Sequence, residues 1–524
     1  MQILHTFFCF SHDIFMKNTV GKGAFVLSVS GIICKFFGAL FRLPLTNIIG
    51  IEGIGIFQMI MSLYSLMLVF VSSGVTSSLS KLVSSARARG ENYKLGGYFR
   101  LAILFCCGLA LAIGIIFAFL SKPIASLQGN ANASIIYLLF VILLPLGAII
   151  GVYRGIIQGY ENMTPTAFSQ IIEQVIKFVF GLFFAFILGK RGIYAGVFGA
   201  FLGIVLSEFL AFIYLYFVLH KNIKIKQSNY NGRKEFFSAV LPLSFSSAVL
   251  PLTHAIEALF IIVLFVKAGY EKAEATILYG LQTGVVGALL NFPLVISMSV
   301  AVALLPKIAF LSAENNEEGQ REIIKKSFGA MWFLLIPLVL GLCAISKELY
   351  PIIYPNVIKG YLQIAVQLTF FSGLSIVLSS ISQVLSSTMQ AKGFYVHCLL
   401  FNLLGGIAKI ALIFILVPIK SISVYAISIS NIVMFSITCI LYLIKLGSLI
   451  KIDFFQFVMP IMAGIVMFLS VELLLGTIGG ILGIILSIIV GAIVYFVSAF
   501  PLTKEYAKII INKISKFKNK QNKN

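Results

Sequence analysis

Two bases seven residues apart, Lys35 and Arg42, stand in an otherwise apolar run, and a helix would put them within about 20° of each other on one face. If that run begins near residue 24, a rise of 1.5 Å per residue sets Lys35 about 16 Å deep and Arg42 about 27 Å deep. An ammonium and a planar guanidinium fork on one wall suit a phosphate or pyrophosphate; the competing role for Arg42 is snorkelling to the far interface. Glu173 and Lys177 follow at i, i+4 with the acid first, the favoured order for a pair within one helix. Lys409 stands in similar apolar sequence, but Gly405 occupies the place where its acid would be. His254 and Glu257, at i, i+3, suit a cation, a proton relay or a plain structural hydrogen bond. Glu208 and Glu472 complete the acids expected to be buried. A charged side chain in the middle of a membrane helix costs about 2.5–3.5 kcal/mol on insertion scales, so each of these groups is a candidate for function.

The elements that carry these residues are apolar stretches, about fourteen of them, each near the 20 residues needed to cross a bilayer. Of the 524 residues 60% are hydrophobic and 11% charged, a balance no soluble core requires. The stretches are continuously apolar instead of alternating, which predicts helices and not a β-barrel. Connections of about 4 to 18 residues are too short to fold alone, so the chain reads as one polytopic domain. An all-α membrane protein is predicted, with about 14 transmembrane helices. Pro145, Pro242, Pro251, Pro293 and Pro337 fall inside the stretches and favour kinks; two in one segment mark the seventh as the most bent or unwound.

An internal repeat emerges when spans 1–6 are laid over spans 7–12. At an offset of 232, Gln158 falls on Gln390 and Lys177 on Lys409; Tyr194 falls on Tyr425 at 231, and Lys81 on Lys307 at 226. Repeated bundles with a ligand site between them are a common transporter architecture. The expected organisation is an extension at 1–20, an N-lobe of six helices at 21–220, a basic linker at 221–236, a C-lobe of six at 237–446, two extra helices at 447–502 and a basic tail at 503–524. Met16 reads as the true start.

The net charge of +21 is spread over loops instead of forming a stripe with stacking aromatics, so no nucleic-acid partner is expected. With both termini in the cytoplasm, 27 of the 39 Lys and Arg fall on inner segments, 8 on outer ones and 4 within spans, as the positive-inside rule requires. The tail would lie on anionic membrane lipids. Seven cysteines, none in a C-x-x-C pair, indicate neither a disulfide framework nor a zinc site. The phosphate-binding loop, the H-E-x-x-H helix and the nucleophile elbow are all absent from the sequence, so no enzymatic activity is expected.

Four strings carry a family likeness. Gly50-Ile-Glu52-Gly53-Ile-Gly55-Ile-Phe57-Gln58 is followed by Ser80-Lys81, then by Arg154-Gly155-Ile-Ile-Gln158-Gly159 and by Met163-Thr-Pro165-Thr166-Ala167-Phe-Ser169-Gln170-Ile-Ile-Glu173-Gln174. From about residue 17 to 500 the chain resembles the stage V sporulation protein B and polysaccharide-flippase family of the MOP (multidrug, oligosaccharidyl-lipid, polysaccharide) exporter superfamily, which also holds the MurJ-type lipid II flippases. The resemblance implies a two-lobed bundle that flips an undecaprenyl-pyrophosphate-linked oligosaccharide by alternating access. It sets Lys35 and Arg42 where such flippases have basic residues facing the cavity. The residues themselves offer, as further cavity candidates, Arg154 near the cytoplasmic mouth, Gln158, Glu173 and Lys177 in the first lobe, and Glu257 and Lys409. One departure concerns the eighth span, which reads Ala288-Leu-Leu-Asn291-Phe292-Pro293 where many lipid II flippases carry a cavity arginine.

The expected activity is therefore transport of a lipid-linked oligosaccharide, such as a peptidoglycan precursor, across the cytoplasmic membrane. The alternatives are a cation-coupled drug or small-molecule exporter of the same superfamily, and a nontransporting scaffold for cell-wall synthesis. No cofactor is expected beyond a coupling ion, Na⁺ or H⁺, or the membrane potential. The expected partners are the lipid-linked glycan, membrane lipids and cell-wall synthesis enzymes, with the protein itself a monomer.

Overall fold

The computed structural model describes residues 19–223, 228, 230, 232–450 and 454–500. Residues 1–18 of the extension with the proposed start at Met16, residues 224–227, 229 and 231 of the central basic linker, and the tail at 503–524 lie outside the described residues. Within them the chain forms helices α1 (Thr19–Leu68), α2 (Gly74–Ala88), α3 (Tyr93–Phe119), α4 (Ser121–Leu127), α5 (Ser134–Tyr137), α6 (Phe140–Gly159), α7 (Thr164–Gly189), α8 (Ile193–Asn222) and α9 (Arg233–Lys267). After these come α10 (Lys272–Gly280), α11 (Gly287–Ala313), α12 (Glu317–Ile353), α13 (Leu362–Ala391), α14 (Tyr395–Leu416), α15 (Ala426–Leu446), α16 (Phe454–Thr477) and α17 (Gly480–Ser498). Thirteen stretches of the described residues are long and apolar enough to cross a membrane, and the protein is an all-α, multi-pass membrane protein.

The first of those stretches runs 60 residues, Val29–Ala88, more than two crossings' worth of helix. Gly50 divides it, with φ 77 and ψ 174. That conformation is open to glycine and strained for other residues, so one residue replaces the longer connection expected between the first two spans. Two π-helical turns, Val69–Ser73 and Leu281–Val286, are further irregularities. The seventh span, expected to be bent or unwound, is not unwound: α9 passes through both Pro242 and Pro251 as one helix.

Contacts divide the chain into two compact units. One comprises 17–291 with 396–438, and the other 292–395 with 439 onward. Within the first of these units α9 is closely tied to α2. A Cβ added to Gly74 would lie 2.7 Å from the Cα of Ser244, and Ser78 Oγ donates to the Ala239 carbonyl at 3.0 Å.

In this first unit, α6 packs through a seam of glycines. Added Cβ atoms at Gly151 and Gly159 would meet Ser72 and Val83 at 2.4 and 2.5 Å, and the hydroxyl of Thr76 reaches the Gly151 carbonyl at 2.9 Å. Small residues allow this approach where lipid supplies no hydrophobic drive to associate. In the other unit Trp332 stacks on Phe328 and Phe457 and donates its indole N–H to the Phe457 carbonyl at 2.9 Å. Val300, Ile308, Met331 and Val384 pack around it.

Candidate functional site

The α6–α7 hairpin builds the first charge cluster. Helix α6 ends at Gly159, a short turn follows through Glu161 (φ 61), and Pro165 starts α7, where its fixed φ suits the first turn. A residue five before the turn therefore faces residues in the first turns of α7. Arg154 donates from Nε to Ser169 Oγ at 3.0 Å and from a terminal nitrogen to Glu173 Oε2 at 2.9 Å. Arg154 is 15% and Glu173 25% exposed, so the pair is half-desolvated. Glu173 thus pairs with Arg154, and the intrahelical pair with Lys177 predicted from spacing does not form. Lys177 instead stands over the Phe41 ring, 5.9 Å from its centroid, and interacts electrostatically with Glu173, Arg42 and Glu208.

Lys35 is exposed and Arg42 half-buried. Lys35 pairs with no acid among the described residues, and its helix lies against α7, where Ser30 Oγ bonds Gln170 Oε1 at 3.1 Å. Gln158 is half-buried at the end of α6; its carbonyl accepts from the Glu161 N–H at 2.8 Å. Glu208 is buried, 4% exposed, and accepts from the Tyr64 hydroxyl. Glu472 is exposed on α16, not buried as expected, because α16 packs with other faces on α12 and α17.

The second cluster joins α9 and α14. Gly406 brings the two helices together: a Cβ there would lie 2.6 Å from Thr253 Cγ2. One turn further along each, Lys409 Nζ meets Glu257 Oε2 at 2.7 Å, with side-chain exposures of 0% and 4%. The partner that Gly405 denies to Lys409 is thus supplied by another helix. His254 Nδ1 lies 3.4 Å from Lys409 Nζ and 3.9 Å from Glu257 Oε2, with its side chain 55% exposed. The cluster therefore has a sealed ion pair and a half-exposed imidazole.

Sequence reading missed the hydrogen-bonded polar groups on apolar helices. Gln282, in the π-turn, donates to Ser428 Oγ at 3.0 Å. Gln58 reaches the Thr283 carbonyl in the same turn at 3.1 Å, and a π-turn leaves carbonyls open to such partners. Only the apolar context of Gln58 and Gln282 hinted at this.

At one end of α3 and α9, Glu235 accepts from the hydroxyls of Tyr98 and Tyr230, the latter at 2.9 Å, and Lys94 Nζ lies 3.7 Å away. The hydrogen bonds from Tyr98 and Tyr230, with the Lys94 charge, hold this carboxyl below the usual carboxylate range. No group of three His, Cys, Asp or Glu among the described residues could hold a metal ion.

These charge clusters lie on closely packed membrane helices, and comparison with known proteins gives the family. Residues 20–312, over half of the chain, match the family described as polysaccharide biosynthesis protein. The chain belongs to that family. It is thereby a member of the MOP exporter superfamily, whose proteins are transporters. Stage V sporulation protein B of Bacillus subtilis (strain 168) is 28% identical over 422 residues, which cover 78% of this chain and 80% of that protein. Lipid II flippase MurJ of the same organism is 23% identical over 411 residues, covering 70% and 74%. Among solved structures, lipid II flippase MurJ in an inward closed conformation superimposes with a TM-score of 0.70 at 15% identity, over 92% of this chain and 100% of that one. An inward-facing multidrug resistance MATE family transporter of the MOP superfamily gives 0.63 at 14%, over 81% and 98%. At such identities the likeness of structure establishes the fold of this family member.

Proposed function

We propose that this chain moves an undecaprenyl-pyrophosphate-linked oligosaccharide, a peptidoglycan precursor or related polysaccharide unit, from the inner to the outer leaflet of the cytoplasmic membrane by alternating access. The observation that carries the reading is the accessible, acid-free Lys35 on the same helix face as Arg42. An unpaired ammonium at that depth is costly unless an anion visits it. Arg154 and Gln158 would receive the head group at the mouth, with Glu173 and Lys177 lining the way and Glu257 and Lys409 belonging to the second repeat. In this reading 21–220 and 237–446 are pseudo-repeated lobes and both termini are cytoplasmic. The monomer would work beside cell-wall synthesis enzymes.

Matching helix ends support the repeat. Asn162 N–H reaches the Ile157 carbonyl at 3.4 Å, and 232 residues on Phe394 N–H reaches the Met389 carbonyl at 3.0 Å. Glu161 and Gly393, at φ 61 and 83, hold equivalent left-handed positions in those caps.

The test is outer-leaflet appearance of a labelled undecaprenyl-pyrophosphate sugar in cells depleted of their own flippase. The wild-type chain should restore it and the Lys35→Ala, Arg42→Ala double variant should not; equal movement by both would end the charge argument. The second reading, a cation-coupled exporter of small molecules, is favoured by the buried acids Glu208 and Glu257. It would gain if the intact protein moved no lipid yet lowered cellular accumulation of a cationic dye.

A further inference from the structure

The second cluster contains a titratable group that substrate recognition does not use. In the ion pair of Lys409 and Glu257 both side chains are sealed, while the adjacent His254 ring is 55% exposed. His254 Nδ1 lies 3.4 Å from the ammonium. An ammonium has only protons to offer, so at that distance Nδ1 presents its lone pair and the ring is neutral. Adding a proton to Nδ1 would turn this contact into two cations facing one carboxylate.

We propose that His254 is the proton-binding site that couples this transporter to a proton gradient, with Glu257 as the anion that imidazolium and Lys409 contest. The inference rests on the chain being a transporter, but on no particular substrate. In one half-cycle a proton from water adds to the Nδ1 lone pair. The new N–H turns to Glu257 Oε2, now 3.9 Å away, and the Lys409 ammonium gives up that oxygen. In the other half-cycle the proton returns to water and Lys409 recovers its partner. No covalent bond other than N–H forms or breaks.

Lys409 on α14 and Glu257 on α9 are the charged groups that act on His254 among the described residues. From α10 the Tyr279 phenol acts on Glu257, while α1, α2 and α4, which also pack on α9, add no charge to the site. The movement of a buried lysine is large enough in energy to matter, since an uncompensated buried charge is among the costliest states a helix pair can hold. α9 and α14 meet closely at Gly406, so a change in this pairing is transmitted to the helix contact itself.

The experiment uses the full chain in lipid nanodiscs without substrate, with melting temperature followed from about pH 8 to about pH 5.5, across the imidazole range. In the wild type, acid should lower the melting temperature, because only in the native state does the added proton set two cations against one carboxylate. His254→Gln should flatten that dependence. Lys409→Met should reverse it, because imidazolium then becomes the carboxylate's partner, and Lys409→Arg should keep the wild-type sign. A slope unchanged by His254→Gln, or a wild-type sign in Lys409→Met, would overturn the proposal. His254→Gln changes an accessible side chain and leaves the sealed pair intact, so it tests the site even where Lys409→Met does not fold.

A second arm measures movement of the labelled lipid in proteoliposomes with and without a pH gradient. A several-fold acceleration by the gradient should vanish in His254→Gln while a basal rate remains; acceleration that survives the substitution counts against the site. If the pH signature holds and no lipid moves, the substrate reading fails and the proton site stands.

Discussion

Lys177 and Lys409 fall on each other in the proposed repeat, yet their surroundings differ. Lys177 is half-buried over an aromatic ring, and the nearby Glu173 is held by Arg154. Lys409 is fully sealed and takes its acid from another helix. The first arrangement leaves a cation free to meet an anion from outside; the second uses its cation internally. On the proposed repeat, then, one position stands half-buried over an aromatic ring in the first half and is sealed in an ion pair in the second.

The largest effect should come from splitting the sealed pair. Lys409→Ala alone leaves the Glu257 carboxylate buried, and breaking such a pair typically costs about 3–5 kcal/mol. Denaturation in detergent should show that loss, with much of it recovered in Lys409→Met, Glu257→Leu; a double variant no more stable than the single would mean that Lys409 is not set apart from Lys177 by its internal partner. The Arg154–Glu173 pair, more exposed than Lys409–Glu257, should be less sensitive. Arg154→Ala should lower stability by about 1–2 kcal/mol by the same measurement, since solvent screens part of the lost pairing, and a loss matching that of Lys409→Ala would erase the contrast.

A smaller effect concerns the caps. Glu161 holds φ 61 where its proposed counterpart is Gly393, so Glu161→Gly should raise stability by up to about 1 kcal/mol, with Gly393→Glu lowering it. A thermal melt in which Glu161→Gly lowers stability would show that the two caps are not equivalent. Smallest is Glu235→Gln. Its carboxyl is held low by Tyr98, Tyr230 and Lys94, so the stabilisation is present above the unfolded carboxyl value of about 4.3 and fades as pH falls through the lower folded value. The wild type should lose a little stability in acid that Glu235→Gln never had, an effect confined to lower pH than the His254 dependence.

The membrane fold was legible because length and apolarity are local properties: a run such as 133–153 cannot avoid being a buried or spanning helix once it is written, and the helix Phe140–Gly159 takes up most of it. The proposed repeat rests on a property of the same kind, since Gln158 with Gln390 and Lys177 with Lys409 are identities at one offset. The partners of charges were not legible. Spacing paired Glu173 with Lys177 because i, i+4 is all that one helix offers, whereas the hairpin turn at Glu161 brought in Arg154.

By itself, then, the sequence determined that this chain crosses a membrane many times as helices and carries charges at depth, because each follows from a run of residues and its bilayer solvent. Only the tertiary structure decided that Glu257 belongs to Lys409, that His254 is the half-exposed member of that group, and that Tyr64 donates to one oxygen of Glu208. Those pairings depend on how closely helices approach, and that distance is set by which residue lies at each crossing, such as Gly406 against Thr253, a relation between segments far apart in the chain.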